Sequence, residues 1–443
     1  MTMMNLMNLL GEKKYREIAV KLKEQNVVDL ADLLMGLDAE LQPLVFRMID
    51  KSKAAEVFSY LDDEEQQALV QKFTPGEISS ILEALSADDA VDFLEDMPAN
   101  VVTRLLENVG ADTRNNINRL LKYEEDSAGS IMTTEYVTLH QEMTVGQALD
   151  KILRVGINSE TVYTCYVVER RRLIGIVTGK DLMTNHRDTR IADLMLKEFI
   201  CVHTTDDKED VAKRFSKYGL IAMPVLDKDE LLVGIVTFDD AWDVMTEETT
   251  EDIQKMAAME SNDESYLRTS VFSHARHRII WLMVLMFSAS ITGAIITRYE
   301  DAFAVIPLLV SFIPMLMDTG GNCGSQSSTL VIRGLAIDEL HFSDTLAILW
   351  KEFRVAILVG VALSVMNGIR IFIMYRDLGI AIVVSISLMA TIMVAKLVGC
   401  MLPIAAKKCK LDPAIMASPV ITTVVDTCSI IIYFKIATMI FKI

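Results

Sequence analysis

One carboxylate lies in the middle of an apolar segment near the end of the chain. Asp426 is the only charged residue between Asp412 and Lys435, within SPVITTVVDTCSIIIYF at positions 418–434. Such a side chain facing lipid at the bilayer centre would cost roughly 3 kcal/mol. Facing a second copy of itself across water, it could hold a hydrated cation between the two carboxylates. The alternative is a structural ion pair with Lys396 or Lys435.

A second apolar segment contains residues that interrupt helices. In IPMLMDTGGNCGSQSSTLVIRG, at positions 313–334, Pro314, Gly320, Gly321 and Gly324 predict a broken helix within the bilayer. The freed backbone groups would face protein or water, and broken helices beside buried carboxylates often line ion paths. The alternative is a kink whose small residues allow close packing.

Five apolar segments, each near the length needed to cross a bilayer, make up the C-terminal half. They span residues 279–297, 302–335 (broken), 355–375, 379–405 and 413–441. With the N-terminus in the cytoplasm, five spans place the C-terminus outside. Basic residues at 276, 278, 407, 408 and 410 then lie inside, as the positive-inside rule requires.

Charge divides the chain of 443 residues into two halves. The net charge is −18, yet residues 271–443 carry 14 Lys and Arg against 10 Asp and Glu. The first 270 residues therefore carry a net charge of −22, which disfavours nucleic acid as a partner and favours cations. The alternative is that the acids only keep this half soluble. The six cysteines form no Cys-x-x-Cys pair, so neither a disulfide framework nor a zinc site is indicated. The opening MTMMNLMNLL predicts a helix rather than a signal peptide.

The N-terminal region repeats every 24 residues. Five apolar rows share this register: 33, 57, 81 and 105; 34, 58, 82 and 106; 37, 61, 85 and 109; 45, 69, 93 and 117; and 49, 73, 97 and 121. Two short helices per repeat, stacked as a solenoid, would bury these rows. Such a domain serves as a docking module or a purely structural one.

A second pair of repeats occupies residues 126–250. The segments CYVVERRRLIGIVTGKDLM (165–183) and AMPVLDKDELLVGIVTFDDAWDVM (222–245) each predict strand, turn, strand and a helix beginning at Thr-x-x-Asp. They resemble tandem CBS (cystathionine β-synthase) domains, which often bind adenosine nucleotides at that turn. The alternative role of Thr178 with Asp181, and of Thr237 with Asp240, is helix capping.

The order of these parts resembles the MgtE family of magnesium transporters over essentially the whole chain, with MDTGGNCGSQSSTLVIRGLA and DPAIMASPVITTVVD as its membrane motifs. The resemblance implies a multidomain α and α+β membrane protein. Its parts are a helical solenoid N-domain (1–125), tandem CBS domains (126–250), a connecting plug helix (251–275) and a five-helix transmembrane pore domain (276–443). It further implies a homodimer in the inner or plasma membrane, with the pore on the two-fold axis and with no enzyme activity.

The resemblance also assigns site residues. In the pore they are Asp426, Thr422, Ser418 and Asn322. The acids expected to bind regulatory Mg²⁺ are Glu56, Asp88, Asp92, Asp207, Glu209, Asp240, Asp243, Glu248, Glu251 and Asp252. Tyr163 and Asp181 match positions that contact ATP. Gly219 replaces a sensor acid and Leu220 replaces an aromatic residue, which weakens one cation site and the adenine site.

The resulting hypothesis is a Mg²⁺-selective channel that imports Mg²⁺ and closes when cytosolic Mg²⁺ binds the acidic domains. Divalent cations would relieve the repulsion between acidic faces and favour one compact state. There are two alternatives. One is a coupled secondary transporter of Mg²⁺ or another divalent cation, and the other is a membrane metal sensor that transports nothing. Asp318 beside TGGN is the one residue that points to an intramembrane enzyme. Selectivity among Mg²⁺, Mn²⁺, Co²⁺ and Ni²⁺ stays open.

Overall fold

The computed structural model describes residues 2–95, 97–261, 266, 269–299 and 305–442, without the side chains of Ser52, Asp63, Asn158 and Ser418. The chain forms two compact units, Met1–Met245 and Thr246–Ile443. Residues 262–265, 267 and 268 of the predicted connecting segment lie outside the described residues, as do residues 302–304 of the second predicted span.

The N-terminal region consists of short helices. These are α1 (Met3–Gly11), α2 (Tyr15–Lys23), α3 (Val27–Met35), α4 (Gln42–Phe46), α5 (Lys51–Ser59), α6 (Asp63–Val70), α7 (Pro75–Leu82), α8 (Ala87–Glu95), α9 (Ala99–Leu106) and α10 (Ala111–Leu120). All five predicted apolar rows are buried except at Met97 and Leu121, which are half-buried. The repeat therefore positions a continuous core. Many acids between the rows are exposed, but Asp88 is buried.

Local sequence signals fix where several of these helices begin. Thr74 caps α7 in a capping box with Glu77, and Pro75 occupies the first helical position, where its missing N–H costs nothing. The Asn26 side chain likewise accepts the Val28 N–H at the start of α3.

Two βαββα units follow, as the second repeat predicts. The first comprises β1 (Tyr136–Leu139), α11 (Val145–Val155), β2 (Thr161–Glu169), β3 (Arg172–Thr178) and α12 (Gly179–Thr184); α13 (Ile191–Leu194) connects it to the next. The second comprises β4 (Val202–His203), α14 (Lys208–Tyr218), β5 (Ala222–Leu226), β6 (Leu232–Thr237) and α15 (Phe238–Met256). Each sheet has one parallel and one antiparallel pair, in the orders β1-β2-β3 and β4-β5-β6.

The last helix of the second βαββα unit continues beyond that unit. α15 runs without interruption through the predicted boundary at residues 250 and 251. One helix therefore carries both the Thr-x-x-Asp turn at its start and the first part of the predicted connecting segment.

The C-terminal unit is built from long helices. These are α16 (Val271–Arg298), α17 (Ile313–Ala336), α18 (Thr345–Tyr375), α19 (Leu378–Lys408) and α20 (Ser418–Phe441). Within the described ranges, four helical segments are long and apolar enough to cross a membrane: 271–298, 342–375, 378–408 and 413–441. α17 is 24 residues long but carries many polar residues, and it packs against α19 and α20.

The predicted break in the second span is wrong. α17 is one continuous α-helix through all three glycines, and Pro314 lies in its first turn, where proline is tolerated. The glycines instead allow neighbouring helices to approach. The irregular segment is a 3-10 turn, Pro307–Phe312, before the helix begins.

Candidate ion path and acidic regulatory site

Glycines bring α17 into close contact with α20. A Cβ atom placed on Gly321 would lie 2.9 Å from Cγ2 of Thr422, and one on Gly324 would lie 2.7 Å from Cγ2 of Ile421. A Cβ atom on Gly320 would lie 2.9 Å from Cγ1 of Val425. Rising numbers on α17 meet falling numbers on α20, so the two helices are antiparallel. Small residues at a membrane helix crossing allow this close approach.

A polar face follows from this pairing. Asp318 and Asn322 lie one turn apart on α17 and are exposed, whereas Thr422 and Asp426 lie one turn apart on α20 and are half-buried. Asp318 is the charged neighbour that acts electrostatically on Asp426. The Thr422 hydroxyl donates to the Pro419 carbonyl at 3.0 Å, so its lone pairs remain for another donor or a cation's water. The structure therefore brings together three of the four predicted pore residues; the side chain of Ser418 lies outside the described atoms.

The structural alternative for Asp426 has no support in its neighbours. Within the described residues, no basic nitrogen lies within 4.0 Å of its carboxylate, although such pairs occur elsewhere in the chain. Lys396 contacts Ser327 and Glu352 instead, and Lys435 is exposed. Asp426 is thus a half-buried carboxylate whose charged neighbour is another carboxylate.

The N-terminal unit contains a cluster of carboxylates, here called the acidic cluster: Asp88, Asp89, Glu135, Glu160, Asp239 and Asp240. Asp88 lies in the first turn of α8 and Asp240 in the first turn of α15. The charge of Asp88 acts electrostatically on Asp89, Glu135, Glu160 and Asp240. Glu56 and Asp243 lie beside it, since both act on the Tyr60 hydroxyl together with Asp89 and Asp239. The solenoid helices and the CBS pair therefore contribute to one negative region.

Burial and mutual repulsion raise the pKa values of this cluster. Burial, with the charge of Asp88 second, raises the pKa of Asp240 to about 8, against hydrogen bonds from Thr237 that lower it. The same two causes raise the pKa of Glu135 to about 7. Burial raises the pKa of Asp88, whose Oδ1 atom is buried and accepts no hydrogen bond from any described residue. These are sites where a cation would be favourable.

Direct coordination is not preformed. Across the described ranges, no group of three or more His, Cys, Asp or Glu side chains has a metal-holding arrangement. A cation at the acidic cluster would therefore be held partly through its own waters, as Mg²⁺ prefers. The unpartnered Asp88 Oδ1 atom fits such a hydrated cation.

The remaining predicted acids lie elsewhere. Asp207 caps α14 by accepting the N–H groups of Glu209 and Asp210, and Glu209 pairs with Lys213 at 2.8 Å. Asp92 is exposed on α8. Glu248, Glu251 and Asp252 lie on α15, where Glu251 contacts Lys255 at 2.7 Å. Lys255 also contacts Asp412 at 2.8 Å, just before α20.

The predicted nucleotide residues lie at the edge of the first βαββα unit. Asp181 closes a capping box on α12, accepting hydrogen bonds from the Thr178 N–H and hydroxyl, the latter at 2.5 Å. The capping role weighed against nucleotide contact is therefore present. Tyr163 is 68% exposed, so its ring is free to stack on a planar ligand.

Sequence reasoning assigned no role in these sites to Asp89, Glu135, Glu160 and Asp239, and it treated Asp318 only as a weak sign of an enzyme. The members of the acidic cluster come from α8, from the flanks of β1 and β2, and from α15, so no spacing in the sequence joins them. For Asp318 a signal was available: it precedes Asn322 by one helical turn. The predicted helix break hid that relation.

Comparison with known proteins defines the class. The family model MgtE, described as "Divalent cation transporter", matches residues 313–436. The MgtE intracellular N domain matches residues 25–126, and CBS domain models match residues 128–187 and 191–241. The fold and these matches define a multi-pass membrane protein of the divalent cation transporter class, with a CBS-containing N-terminal half.

Full-length relatives settle the family. The chain is 35% identical to "Magnesium transporter MgtE" of Thermus thermophilus, over 99% of this chain and 98% of the relative. It is 32% identical to "Magnesium transporter MgtE" of Bacillus subtilis, over 93% of this chain and 86% of that one. It is also similar to the crystal structure of the cytosolic domain of the Mg²⁺ channel MgtE in complex with ATP, at 36% identity and a TM-score of 0.53, over 55% of this chain and 100% of that one. The chain belongs to the MgtE family.

Proposed function

We propose that the protein is a Mg²⁺-selective channel that imports Mg²⁺ into the cytoplasm. The observation that carries the proposal is the polar face of α17 and α20, on which the Asp426 carboxylate has another carboxylate as its charged neighbour. A face with Asp318, Asn322, Thr422 and Asp426 is too costly to turn toward lipid. It therefore faces water at the two-fold axis of a homodimer.

Mg²⁺ chemistry fits that face. The ion gives up its waters reluctantly and demands octahedral geometry, so carboxylates, an amide and hydroxyls can hold it through its hydration shell. A hydrated cation between two copies of Asp426 would offset the repulsion between their carboxylates. Selectivity would then follow from the fixed spacing of these oxygens around an ion of one hydrated size.

Flux into proteoliposomes tests the transport proposal. Purified protein should admit Mg²⁺ when only a Mg²⁺ gradient is present, with no H⁺ or Na⁺ gradient. Uptake that requires an H⁺ or Na⁺ gradient would instead identify the coupled transporter. Absence of uptake under every gradient would favour the membrane metal sensor.

We further propose that cytosolic Mg²⁺ closes the channel through the acidic cluster. Proximity of Asp88, Glu135 and Asp240 is unfavourable without a cation, so Mg²⁺ binds the state in which they meet and shifts the population to it. α15 could connect the acidic cluster to the membrane helices. Asp240 lies in its first turn, and Lys255, in its last turn, contacts Asp412 ahead of α20. We propose as additional ligands of regulatory Mg²⁺ the other acids that the resemblance assigns: Glu56, Asp92, Asp207, Glu209, Asp243, Glu248, Glu251 and Asp252.

Limited proteolysis of the membrane-embedded protein tests this closure. Cleavage in residues 1–260 should slow as Mg²⁺ rises through the millimolar range, whereas Na⁺ at equal ionic strength should leave the rate unchanged. Equal cleavage rates with and without Mg²⁺ would contradict the closure.

ATP is proposed as a weak ligand of the first βαββα unit, contacted by Tyr163 and Asp181. The support is the ATP-bound cytosolic domain of a related channel, 36% identical to this chain, and the exposed ring of Tyr163. Calorimetric titration of residues 1–250 with ATP should show heat that is lost in Asp181→Ala and retained in Asp188→Ala, an exposed control. Equal heats for Asp181→Ala and wild type would exclude the site.

The proposed topology places the N-terminus in the cytoplasm and the C-terminus outside. The juxtamembrane basic residues at 276, 278, 407, 408 and 410 support this orientation through the positive-inside rule. Cysteine labelling from the outside in intact cells should reach position 377 after Asp377→Cys and spare position 410 after Lys410→Cys. The reverse labelling pattern would contradict the orientation.

A further inference from the structure

A buried polar network joins three helices of the C-terminal unit. The Ser327 hydroxyl on α17 donates to Oε2 of Glu352 on α18 at 2.6 Å, and the Lys396 ammonium on α19 donates to the same hydroxyl at 3.1 Å. Lys396 Nζ lies 3.7 Å from Glu352 Oε2. The Ser327 side chain is fully buried, and the Lys396 and Glu352 side chains are 5% and 12% exposed.

Stability alone does not account for this network. Taking an ammonium and a carboxylate out of water costs several kcal/mol per ion, and apolar pairs of similar volume are often equally stable. Ionisable residues within membrane spans are rare for this reason and mark functional positions. What the charged network has and an apolar pair lacks is directional hydrogen bonds.

These hydrogen bonds restrain the rotation of α17 about its own axis. Ser327 follows Asn322 by five residues, which places the two side chains about 140° apart around the helix. One side of α17 therefore carries Asp318 and Asn322, and the other carries the hydroxyl that Glu352 and Lys396 hold.

The contacts of α17 near this network include close approaches of the helix backbones. A Cβ atom on Gly399 of α19 would overlap the carbonyl oxygen of Gly324, so the two backbones touch one turn from both Ser327 and Lys396. On its other side α17 meets α20 through Gly320 and Gly321. Side chains of α17 such as Leu316 are also packed in the core, and the Ser328 hydroxyl donates to the Met416 carbonyl. The network therefore adds a charged, directional restraint to a helix that other contacts also hold.

We propose that Glu352 and Lys396, through Ser327, are positioning residues that set the rotation of α17 and thereby hold Asn322 and Asp318 on the ion path. The inference rests on the proposed function of that path. The network itself touches no transported ion; its effect is on how well the path fits hydrated Mg²⁺.

The test separates geometry from charge with a neutral double variant. Glu352→Gln with Lys396→Met keeps side-chain length, removes both charges and leaves no unpaired ion. The double variant should be monodisperse and should transport Mg²⁺ into proteoliposomes at a similar maximal rate. Its KM for Mg²⁺ should rise about tenfold, which corresponds to about 1.4 kcal/mol, and it should discriminate less against Co²⁺. Glu352→Gln alone should lose most uptake because it leaves Lys396 unpaired, and Lys396→Arg should retain wild-type KM.

Ser327→Ala provides a second route, since it removes only the bridging hydroxyl. It should raise KM in the same direction, whereas Ser290→Ala, whose hydroxyl donates to its own helix at Met286, should leave KM unchanged. Wild-type KM and Co²⁺ discrimination in both the double variant and Ser327→Ala would overturn the inference. That result would leave the ion path intact, because the path itself is tested by Asp426→Asn.

Discussion

At the scale of single residues, the raised pKa values of the acidic cluster predict that the stability of the N-terminal half depends on pH. The pKa of Asp240 is about 8 and that of Glu135 about 7 in the folded protein, against ordinary values of 3.8 and 4.5. The folded state therefore binds more protons than the unfolded state in this interval, and its free energy of unfolding falls as pH rises through both values.

We predict that residues 1–250 without divalent cations unfold at a temperature roughly 5 °C lower at pH 8.5 than at pH 6. Mg²⁺ should reduce this difference, because it replaces the protons. It should also bind more weakly at pH 6, since binding must displace those protons. Thermal unfolding across pH, with and without Mg²⁺, measures both effects. A melting temperature that rises toward pH 8.5 would contradict the assignment, and Asp240→Asn should flatten the wild-type curve.

At the scale of elements, the glycines of α17 determine whether the membrane helices can meet. A Cβ atom on Gly324 would lie 3.2 Å from the Ala395 carbonyl oxygen and 2.7 Å from Ile421, whereas one on Gly293 of α16 has nothing within 4 Å. Gly324→Ala should therefore destabilise the protein by about 1–3 kcal/mol. Gly293→Ala should be neutral or slightly stabilising, by up to about 1 kcal/mol, because alanine is the better helix former.

Thermal unfolding in detergent, read together with dimer content, compares the two variants. Equal melting temperatures for Gly324→Ala and wild type would show that the α17–α20 crossing has room to spare. Loss of stability in Gly293→Ala would show that α16 packs against a surface outside the described contacts.

Elements also show how far the sequence could be interpreted. The helices of the 24-residue repeat and the GIVT strands could be predicted because their buried residues recur at regular, short intervals in the sequence. The form of α17 could not, because glycine both breaks helices and lets helices pack, and the neighbour decides between them. The Ser327–Glu352–Lys396 contact and the acidic cluster could not either, since their members lie on separate elements and meet only through the fold.

At the scale of the whole molecule, closure should depend on several acids at once. Each carboxylate supplies only part of the charge that a cation would neutralise, so single replacements should shift closure only slightly. Replacing Asp88, Asp92, Asp240 and Glu248 together by Ala should leave the channel open at Mg²⁺ concentrations that close the wild type. The control is replacement by Ala of Asp29, Asp38, Glu40 and Asp112, which are exposed acids of the same half, so that both variants lose four carboxyl groups.

Patch recordings with millimolar Mg²⁺ on the cytosolic side compare these two proteins. The first should remain open, and the control should close as the wild type does. Closure of both at the same Mg²⁺ concentration would remove the acidic cluster from the mechanism. Opening of both would mean that net charge, rather than these positions, controls the gate.

The central claim, that Asp426 lies in the ion path, is tested most directly by Mg²⁺ uptake into proteoliposomes containing Asp426→Asn. The substitution keeps the shape of the side chain and removes the charge that would hold the hydrated ion. The matched control is Asp338→Asn, an exposed loop position with φ of +55° that asparagine also adopts. We predict that Asp426→Asn reaches the membrane as a monodisperse dimer yet loses most uptake. Asp426→Glu should retain part of the uptake with altered selectivity, and Asp338→Asn should be normal. Wild-type, Mg²⁺-selective uptake by Asp426→Asn would contradict the account.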